Sequence, residues 1–191
     1  MKKDIILSGV GGQGILSIAT IIGEAATEAG INLKQAEVHG MSQRGGDVQS
    51  NLRLSTEPIF SDLLSQSGAD LIISMEPMEA LRYLSFLDKD GWIITSSNPF
   101  VNIPNYPDPN ELLAELAALP HVHLAHIDDI AKVNKLPRGA NMVLLGMAAP
   151  YIEIVSIDQL RSAITTVFAR KGEKVVNDNL TAFDLGVSAV K

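Results

Sequence analysis

The chain has 191 residues, no cysteine and a formal net charge of -7 at pH 7. This acidic balance argues against nucleic-acid and anionic membrane surfaces as partners, because both require clustered Lys and Arg. The absence of cysteine excludes disulfides, thiolate zinc sites and iron–sulfur ligation in this chain, and it fits a cytoplasmic protein. We expect one domain over residues 1–191 and no membrane-spanning segment, because the longest apolar run falls short of roughly 20 residues.

The first predicted elements are a strand, "KDIILSGV", and a helix, "GILSIATIIGEAATEAG", that ends at Gly30. The glycines between them have the Gly9-x-Gly11-x-x-Gly14 spacing of a dinucleotide-binding loop. Such glycines permit a tight turn and bring backbone N–H groups close to an anion at the helix N-terminus. Glu37, at the end of the next predicted strand, is a candidate ligand for a ribose hydroxyl. Nucleotide binding and a purely structural turn both remain open on these residues.

A second glycine-rich loop follows the predicted strand "NLKQAEVHG". Ser42, Gln43 and Arg44 lie between Gly40 and the pair "GG" at 45–46, so the loop is dense in hydrogen-bond donors. Such a loop can clamp a phosphate or carboxylate through Arg44 and backbone amides. The alternative is a flexible hairpin with a solvated Arg44. A serine-hydrolase elbow is excluded, because Arg44 stands where that motif requires glycine.

The rest of the chain alternates short apolar strands with helices, which predicts an α/β layered fold with a mainly parallel sheet. The segment "DVQSNLRLS" alternates apolar and polar residues and predicts a half-exposed strand in an antiparallel pair. Residues 76–87 predict one helix, Asp90-Gly91 predicts a turn, and residues from about Asp128 onward predict helices. We therefore expect a Rossmann-like sheet with an antiparallel addition, helices on both faces and a helical C-terminal part.

Three further features are weaker signals. Four prolines between Asn98 and Asn110 predict a loop or a lid-like crossing, with no indication of what it covers. On a strand His121 and His123 share one face while His126 points to the other, so no metal ligand is predicted. The segment from Arg138 predicts a helix start, where an anion or another loop can be contacted. No catalytic residue is predicted, and neither a Walker A sequence nor the GDG…NN fingerprint of thiamine diphosphate enzymes is present.

Four segments together resemble one family: "GVGGQGILSIATIIGEAA", "EVHGMSQRGGDVQSNLRLS", "PRGANMVLLGMAA" and "NLTAFDLG". Over essentially its whole length the chain resembles the gamma component of 2-oxoacid:ferredoxin oxidoreductases. Within that family it is most similar to the small subunit of indolepyruvate ferredoxin oxidoreductase. The pairing of GxGGQG with HGxSQRGG carries the resemblance far more specifically than the glycine loop alone.

The resemblance implies an oxidoreductase subunit that is not active alone. In that family thiamine diphosphate attacks a 2-oxoacid such as an aryl pyruvate, carbon dioxide leaves, electrons pass through iron–sulfur clusters to ferredoxin, and coenzyme A receives the acyl group. Since this chain has neither cysteine nor the thiamine fingerprint, those cofactors are expected on a large partner subunit in a hetero-oligomer. The chain alone is expected to bind no cofactor or metal, and self-association through its partner surface stays open.

The resemblance also gives candidate cofactor-binding residues. We expect them to form one face of a crevice at the carboxyl ends of the first two strands, which contacts coenzyme A phosphates or braces the partner's active site. They are Gly9, Gly11, Gly12, Gln13, Gly14, Ser42, Gln43, Arg44, Gly45, Gly46 and Asn141. Two other interpretations stay open: a free-standing NAD- or FAD-binding domain with Glu37 on the ribose, and a structural subunit with no ligand.

Overall fold

The computed structural model describes residues 1–38, the backbone of His39 and residues 45–190. Within these residues, six strands form one sheet in the order β2-β3-β1-β4-β5-β6. The strands are β1 (Lys2–Val10), β2 (Asn32–His39), β3 (Asp47–Ser55), β4 (Ala69–Ser74), β5 (Leu87–Ser96) and β6 (Val122–Ala125). Strands β1, β4, β5 and β6 are parallel, whereas β3 pairs antiparallel with both β1 and β2. The predicted mainly parallel sheet with an antiparallel addition is confirmed.

Helices cover both faces of this sheet, as predicted. The helices are α1 (Ile15–Glu28), α2 (Pro77–Arg82), α3 (Pro109–Ala117), α4 (Ile127–Val133), α5 (Ala140–Ile152), α6 (Ile157–Phe168) and α7 (Glu173–Ala189). The larger hydrophobic cluster joins one sheet face to α1 and α4 to α7, and the smaller cluster joins the other face to α2 and α3. The helical C-terminal part is therefore confirmed, and it packs on one face only.

The central strands are buried on both sides because their side chains alternate between the two clusters. In β1, Ile5 and Leu7 belong to the larger cluster and Ile6 to the smaller one, and all three are fully buried. Strand β4 repeats this arrangement with Leu71 and Ile72. This period of two with apolar residues on both faces is typical of parallel strands between helical layers.

The expectation that β3 is half-exposed is wrong for its second face. Val48, Leu52 and Leu54 enter the larger cluster as predicted, but Arg53 on the opposite face is largely covered. Its guanidinium Nε donates to Asp4 Oδ1 at 2.9 Å, and Nη1 donates to the backbone carbonyl of Leu63. Since β3 lies inside the sheet between β1 and β2, its polar face is covered by neighbouring chain.

The segment between β4 and β5 differs from the sequence prediction in two ways. The predicted helix over residues 76–87 is the short α2 followed by a 3-10 turn at Leu84–Phe86, because β5 already begins at Leu87. The predicted turn at Asp90-Gly91 lies inside β5, beside a register shift opposite Ala69–Leu71. A Cβ at Gly91 would stand 3.0 Å from the carbonyl oxygen of Ala69. Glycine there serves close backbone approach at an irregularity in the strand rather than a turn.

Helix α5 is the buried centre of the C-terminal helices, and it crosses α7 at two glycines. Every residue from Met142 to Ala149 is buried. A Cβ at Gly146 would overlap the carbonyl oxygen of Phe183, and a Cβ at Gly186 would overlap that of Val143. The backbones of α5 and α7 are therefore in direct contact at this crossing, which is possible because neither glycine carries a side chain.

We expect the substitution Gly186→Ala to destabilise the protein by about 2 kcal/mol. The added methyl group must push α5 and α7 apart, and this outweighs the gain of up to about 1 kcal/mol in helix propensity. Urea unfolding followed by far-UV circular dichroism measures the change. Thr181→Ala, at an exposed position of α7, is the matched control and should change the unfolding free energy by less than about 0.5 kcal/mol. Equal stability of Gly186→Ala and the wild type would contradict the close crossing.

Candidate functional site

The first glycine loop joins the carboxyl end of β1 to the start of α1. Gly12 and Gly14 have φ values of 102° and 89°, which side-chain-bearing residues rarely adopt. A Cβ at Gly14 would also lie 2.6 Å from the side-chain nitrogen of Asn141. Gly14 is the N-cap of α1 and brings no capping side chain to it. The N–H of Ser17 donates to the carbonyl of Gly14 at 3.1 Å, which leaves the N–H groups of Ile15 and Leu16 for water or an anion.

Gln13 has a role inside this loop. Its side-chain oxygen accepts a hydrogen bond from the backbone N–H of Val10 at 2.7 Å. The same oxygen stands 2.9 Å from where a Cβ at Gly9 would lie. Gln13 therefore fixes the turn that follows β1, and Gly9 leaves room for it.

The two glycine loops are hydrogen-bonded to each other. The N–H of Gly11 donates to the carbonyl of Gly46 at 2.8 Å, and the N–H of Gly45 donates to the carbonyl of Gly11 at 3.4 Å. This contact continues the antiparallel pairing of β1 with β3, in which Val10 lies opposite Asp47. The structure thus brings Gly45 and Gly46 against the first loop. The predicted site residues Ser42, Gln43 and Arg44 lie outside the described residues.

Asn141 connects the segment "PRGANMVLLGMAA" to the same place. It lies in the first turn of α5, and its side-chain amide donates to the carbonyl of Gly14 at 3.3 Å. The described candidates from all three segments therefore meet at one edge of the sheet. That edge carries the carboxyl ends of the parallel strands, where α/β sheets bind ligands.

The proline-rich segment forms a strap across this edge, and we use this name for residues 98–108 between β5 and α3. The side-chain amide of Asn102 donates to the carbonyl of Gly45 at 2.7 Å. At its base the strap is tied to Glu76, which follows β4 and is fully buried. The Glu76 carboxylate accepts from the backbone N–H of Phe100 at 3.2 Å and from the Tyr106 hydroxyl. The strap therefore spans from the end of β4 to the second glycine loop.

The carboxylates of Glu76 and Glu79 are both paired with hydrogen-bond donors. The second carboxylate oxygen of Glu76 accepts from the N–H of Glu79 at 2.9 Å and so caps α2. Burial, and then the hydrogen bond to Glu76, raise the pKa of Tyr106 far above its ordinary value, so its hydroxyl remains a donor. Burial also raises the pKa of Glu79, although the Arg82 guanidinium at 2.8 Å opposes this. Each buried carboxylate is thereby supplied with donors.

The strand order and the position of the strap count against a dinucleotide lying across the sheet. The chain leaves β1 towards β2 and leaves β4 towards β5, so the switch point lies between β1 and β4. The strap crosses that point, from Glu76 to Gly45. Glu37 lies on β2, which β3 separates from β1, so it is about 10 Å away in the plane of the sheet. Its carboxylate accepts from the side-chain amide of Gln35 instead.

The histidines form part of an aromatic cluster elsewhere. The rings of His121 and His123 stack with Trp92 at centroid distances of 5.0 and 5.1 Å, and His123 is hydrogen-bonded to the Tyr151 hydroxyl. Burial lowers the pKa of His123, which disfavours its charged form. His126 instead precedes α4 as its N-cap. In the described part of the chain, no group of three or more His, Cys, Asp or Glu is placed to hold a metal ion.

Glu76, Asn102 and Tyr106 shape the site although no motif contains them. An acid directly before Pro77 is a recognisable helix-start signal and could have identified Glu76 as a cap. Nothing in the sequence marks Asn102 or Tyr106 beyond their place among the prolines. Among the described residues, no helix is both long enough and apolar enough to cross a membrane.

Comparison with known proteins gives end-to-end matches. The family model described as pyruvate ferredoxin/flavodoxin oxidoreductase matches residues 4–189. Indolepyruvate oxidoreductase subunit IorB from Archaeoglobus fulgidus is 34% identical, covering 97% of this chain and 94% of the relative. The protein of the same name from Thermococcus kodakarensis is also 34% identical, covering 100% of this chain and 98% of the relative.

Two solved structures share the fold. The gamma subunit of a keto/oxoacid ferredoxin oxidoreductase from Geobacter sulfurreducens has a TM-score of 0.71 and 24% identity, with 98% of both chains covered. A 2-oxoglutarate:ferredoxin oxidoreductase from Magnetococcus marinus, solved with 2-oxoglutarate, coenzyme A and succinyl-CoA bound, has a TM-score of 0.76 and 23% identity. The match covers 99% of this chain but 31% of that longer one. Sequence and fold agree, and the chain belongs to the pyruvate ferredoxin/flavodoxin oxidoreductase family.

Proposed function

We propose that this chain is the small subunit of a ferredoxin-dependent 2-oxoacid oxidoreductase that acts on an aryl pyruvate, with indolepyruvate as the favoured substrate. The observation that carries the substrate class is the 34% identity, over nearly full length, to indolepyruvate oxidoreductase subunits. The reaction is an oxidative decarboxylation that yields an acyl-CoA. It requires a large partner subunit, because this chain has no cysteine with which to hold an iron–sulfur cluster.

The residues of the site suit coenzyme A better than the other cofactors of the reaction. Coenzyme A supplies the thiol that accepts the acyl group, and its phosphates are anionic. The first turn of α1, which has no side-chain cap, and the side chain of Arg44 are donors of the kind that phosphates bind. Thiamine diphosphate and the clusters are assigned to the partner.

The glycine loops are proposed to form one wall of a crevice, with the partner as the opposite wall. The direct hydrogen bonds between Gly11 and the pair Gly45 and Gly46 support a single wall rather than two independent loops. In the Magnetococcus marinus enzyme the matching region is about a third of a longer chain, which supports work beside other domains. We propose that residues 1–191 act as one domain and that the complex operates in the cytoplasm.

Replacing Arg44 by Ala in the assembled complex is expected to raise the KM for coenzyme A about tenfold or more. The reason is the loss of a charge-assisted hydrogen bond to a phosphate. Steady-state assays with indolepyruvate and a viologen acceptor measure the effect, and size-exclusion chromatography checks that the complex still assembles. The control is Lys89→Ala, which removes an exposed positive charge near the amino end of β5, at the opposite edge of the sheet. Unchanged coenzyme A affinity, turnover and assembly in Arg44→Ala would refute the proposal.

Replacing Tyr106 by Phe is expected to loosen the strap and to lower the unfolding free energy by about 1–2 kcal/mol. The substitution deprives the buried Glu76 carboxylate of one donor. Chemical unfolding measures the stability, and limited proteolysis should cut the strap faster than in the wild type. Tyr83→Phe is the control, since no hydrogen bond of its hydroxyl occurs within the described residues, and it should change the stability by less than about 0.5 kcal/mol. Equal protease resistance of Tyr106→Phe and the wild type would show that the Tyr106 hydroxyl does not hold the strap.

A further inference from the structure

A cleft with a volume of about 560 Å³ lies beside the glycine crevice. The function proposed above gives this cleft no role. It is bounded by the first turn of α1, the loop from α4 to α5, and the junction of α6 with α7. Its charged lining residues are the cations Lys135, Arg138, Lys171 and Lys174, with Asp178 as the acid. In a chain with a net charge of -7, this local excess of positive charge is unusual.

The cations are mostly without intramolecular partners. Lys174 pairs with Asp178 at 2.6 Å, one turn along the same helix. Within the described residues, no carboxylate lies within 4.0 Å of the charged groups of Lys135, Arg138 or Lys171. Lys171 instead lies over the ring of Phe168, 4.9 Å from its centroid. Two segments far apart in sequence thus converge with like charges, an arrangement that an anion with several negative charges would stabilise.

Three helix N-termini add to this positive potential. Ser17 in α1, Asn141 in α5 and Lys174 in α7 lie in the first turns of their helices, and all three line the cleft. The N-caps of these helices are Gly14, Gly139 and Gly172, none of which makes a side-chain cap. By contrast, α2, α3 and α6 are capped by the side chains of Glu76, Asp108 and Ser156, while α4, whose start does not line the cleft, also has no side-chain cap. The cleft therefore collects backbone donors and the positive ends of helix dipoles as well as cationic side chains.

The loop that carries Lys135 and Arg138 is held in place by packing. Leu136 between them is buried, with 7% of its surface exposed. A Cβ at Gly139 would lie 3.0 Å from the Ala182 side chain and 3.1 Å from that of Leu136. A loop fixed on α7 in this way presents its cations without a large ordering cost on binding.

We propose that this cleft binds the phosphate groups of a multiply phosphorylated ligand. Asn141 links it to the glycine crevice, because its side chain lines the cleft and donates to the carbonyl of Gly14. One source of such phosphates is the nucleotide end of coenzyme A, and this source rests on the proposed function. The other is a free phosphorylated compound, such as a nucleotide, that binds independently of the reaction.

The test is a calorimetric titration of the full chain with pyrophosphate at about 0.15 M salt, where weak surface attraction is largely screened. The double variant Lys135→Gln/Arg138→Gln should bind pyrophosphate at least about tenfold more weakly than the wild type. The control, Lys34→Gln/Lys89→Gln, removes the same charge from exposed sites outside the cleft and should change the affinity less than twofold. Both double variants should keep the wild-type unfolding midpoint, since every replaced side chain belongs to an exposed residue.

Equal affinities of the wild type and the cleft variant would overturn the proposal, as would equal weakening by the control or the absence of saturable binding. Competition in the complex with its partner then identifies the source. Displacement of pyrophosphate by coenzyme A and by adenosine 3′,5′-bisphosphate supports the nucleotide end of coenzyme A. Binding that coenzyme A does not displace supports a free phosphorylated ligand. A complex that does not oxidise aryl pyruvates while its cleft still binds pyrophosphate would refute the proposed function but leave this inference standing.

Discussion

The antiparallel insertion of β3 between β1 and β2 is the constraint on which the site depends. The pairing of Val10 with Asp47 places the start of β3 beside the end of β1, so the loop before β3 must meet the loop after β1. The hydrogen bond between Gly11 and Gly46 completes this contact. Two motifs that are more than thirty residues apart in sequence become one surface. The same insertion moves β2 one strand outward, and with it the acid that a dinucleotide site would need.

Buried polar anchors hold the surroundings of this surface in place. Glu76 lies beneath the strap with its carboxylate satisfied by three donors from two segments. Such a group is stable in the interior because each of its hydrogen bonds replaces one lost to water. Asn102 and Asn141 then tie the strap and α5 to the glycine loops through backbone carbonyls. The loops are thus braced from two sides.

Local patterns predict most elements because the spacing of apolar residues and the helix-capping signals are local in sequence. The strand–glycine–helix start and the antiparallel nature of β3 follow from the glycines and the apolar spacing. The distance of Glu37 from the first glycine loop could not be predicted, because strand order is a tertiary property that no local pattern contains. Asp90-Gly91 was misassigned for a similar reason, since a close approach to Ala69 looks like a turn signal in sequence. Asn102 can be recognised as a site residue only from the structure, in which its side chain donates to the carbonyl of Gly45.

We propose that the two glycine loops bind coenzyme A together with a partner subunit. Hydrogen–deuterium exchange of the assembled complex, measured with and without coenzyme A, tests this proposal. Amides of residues 9–16 and 45–47 should exchange more slowly when coenzyme A is present, while those of α3 should be unchanged. Unaltered exchange at both glycine loops, under conditions in which coenzyme A supports full turnover, would show that these loops do not bind coenzyme A.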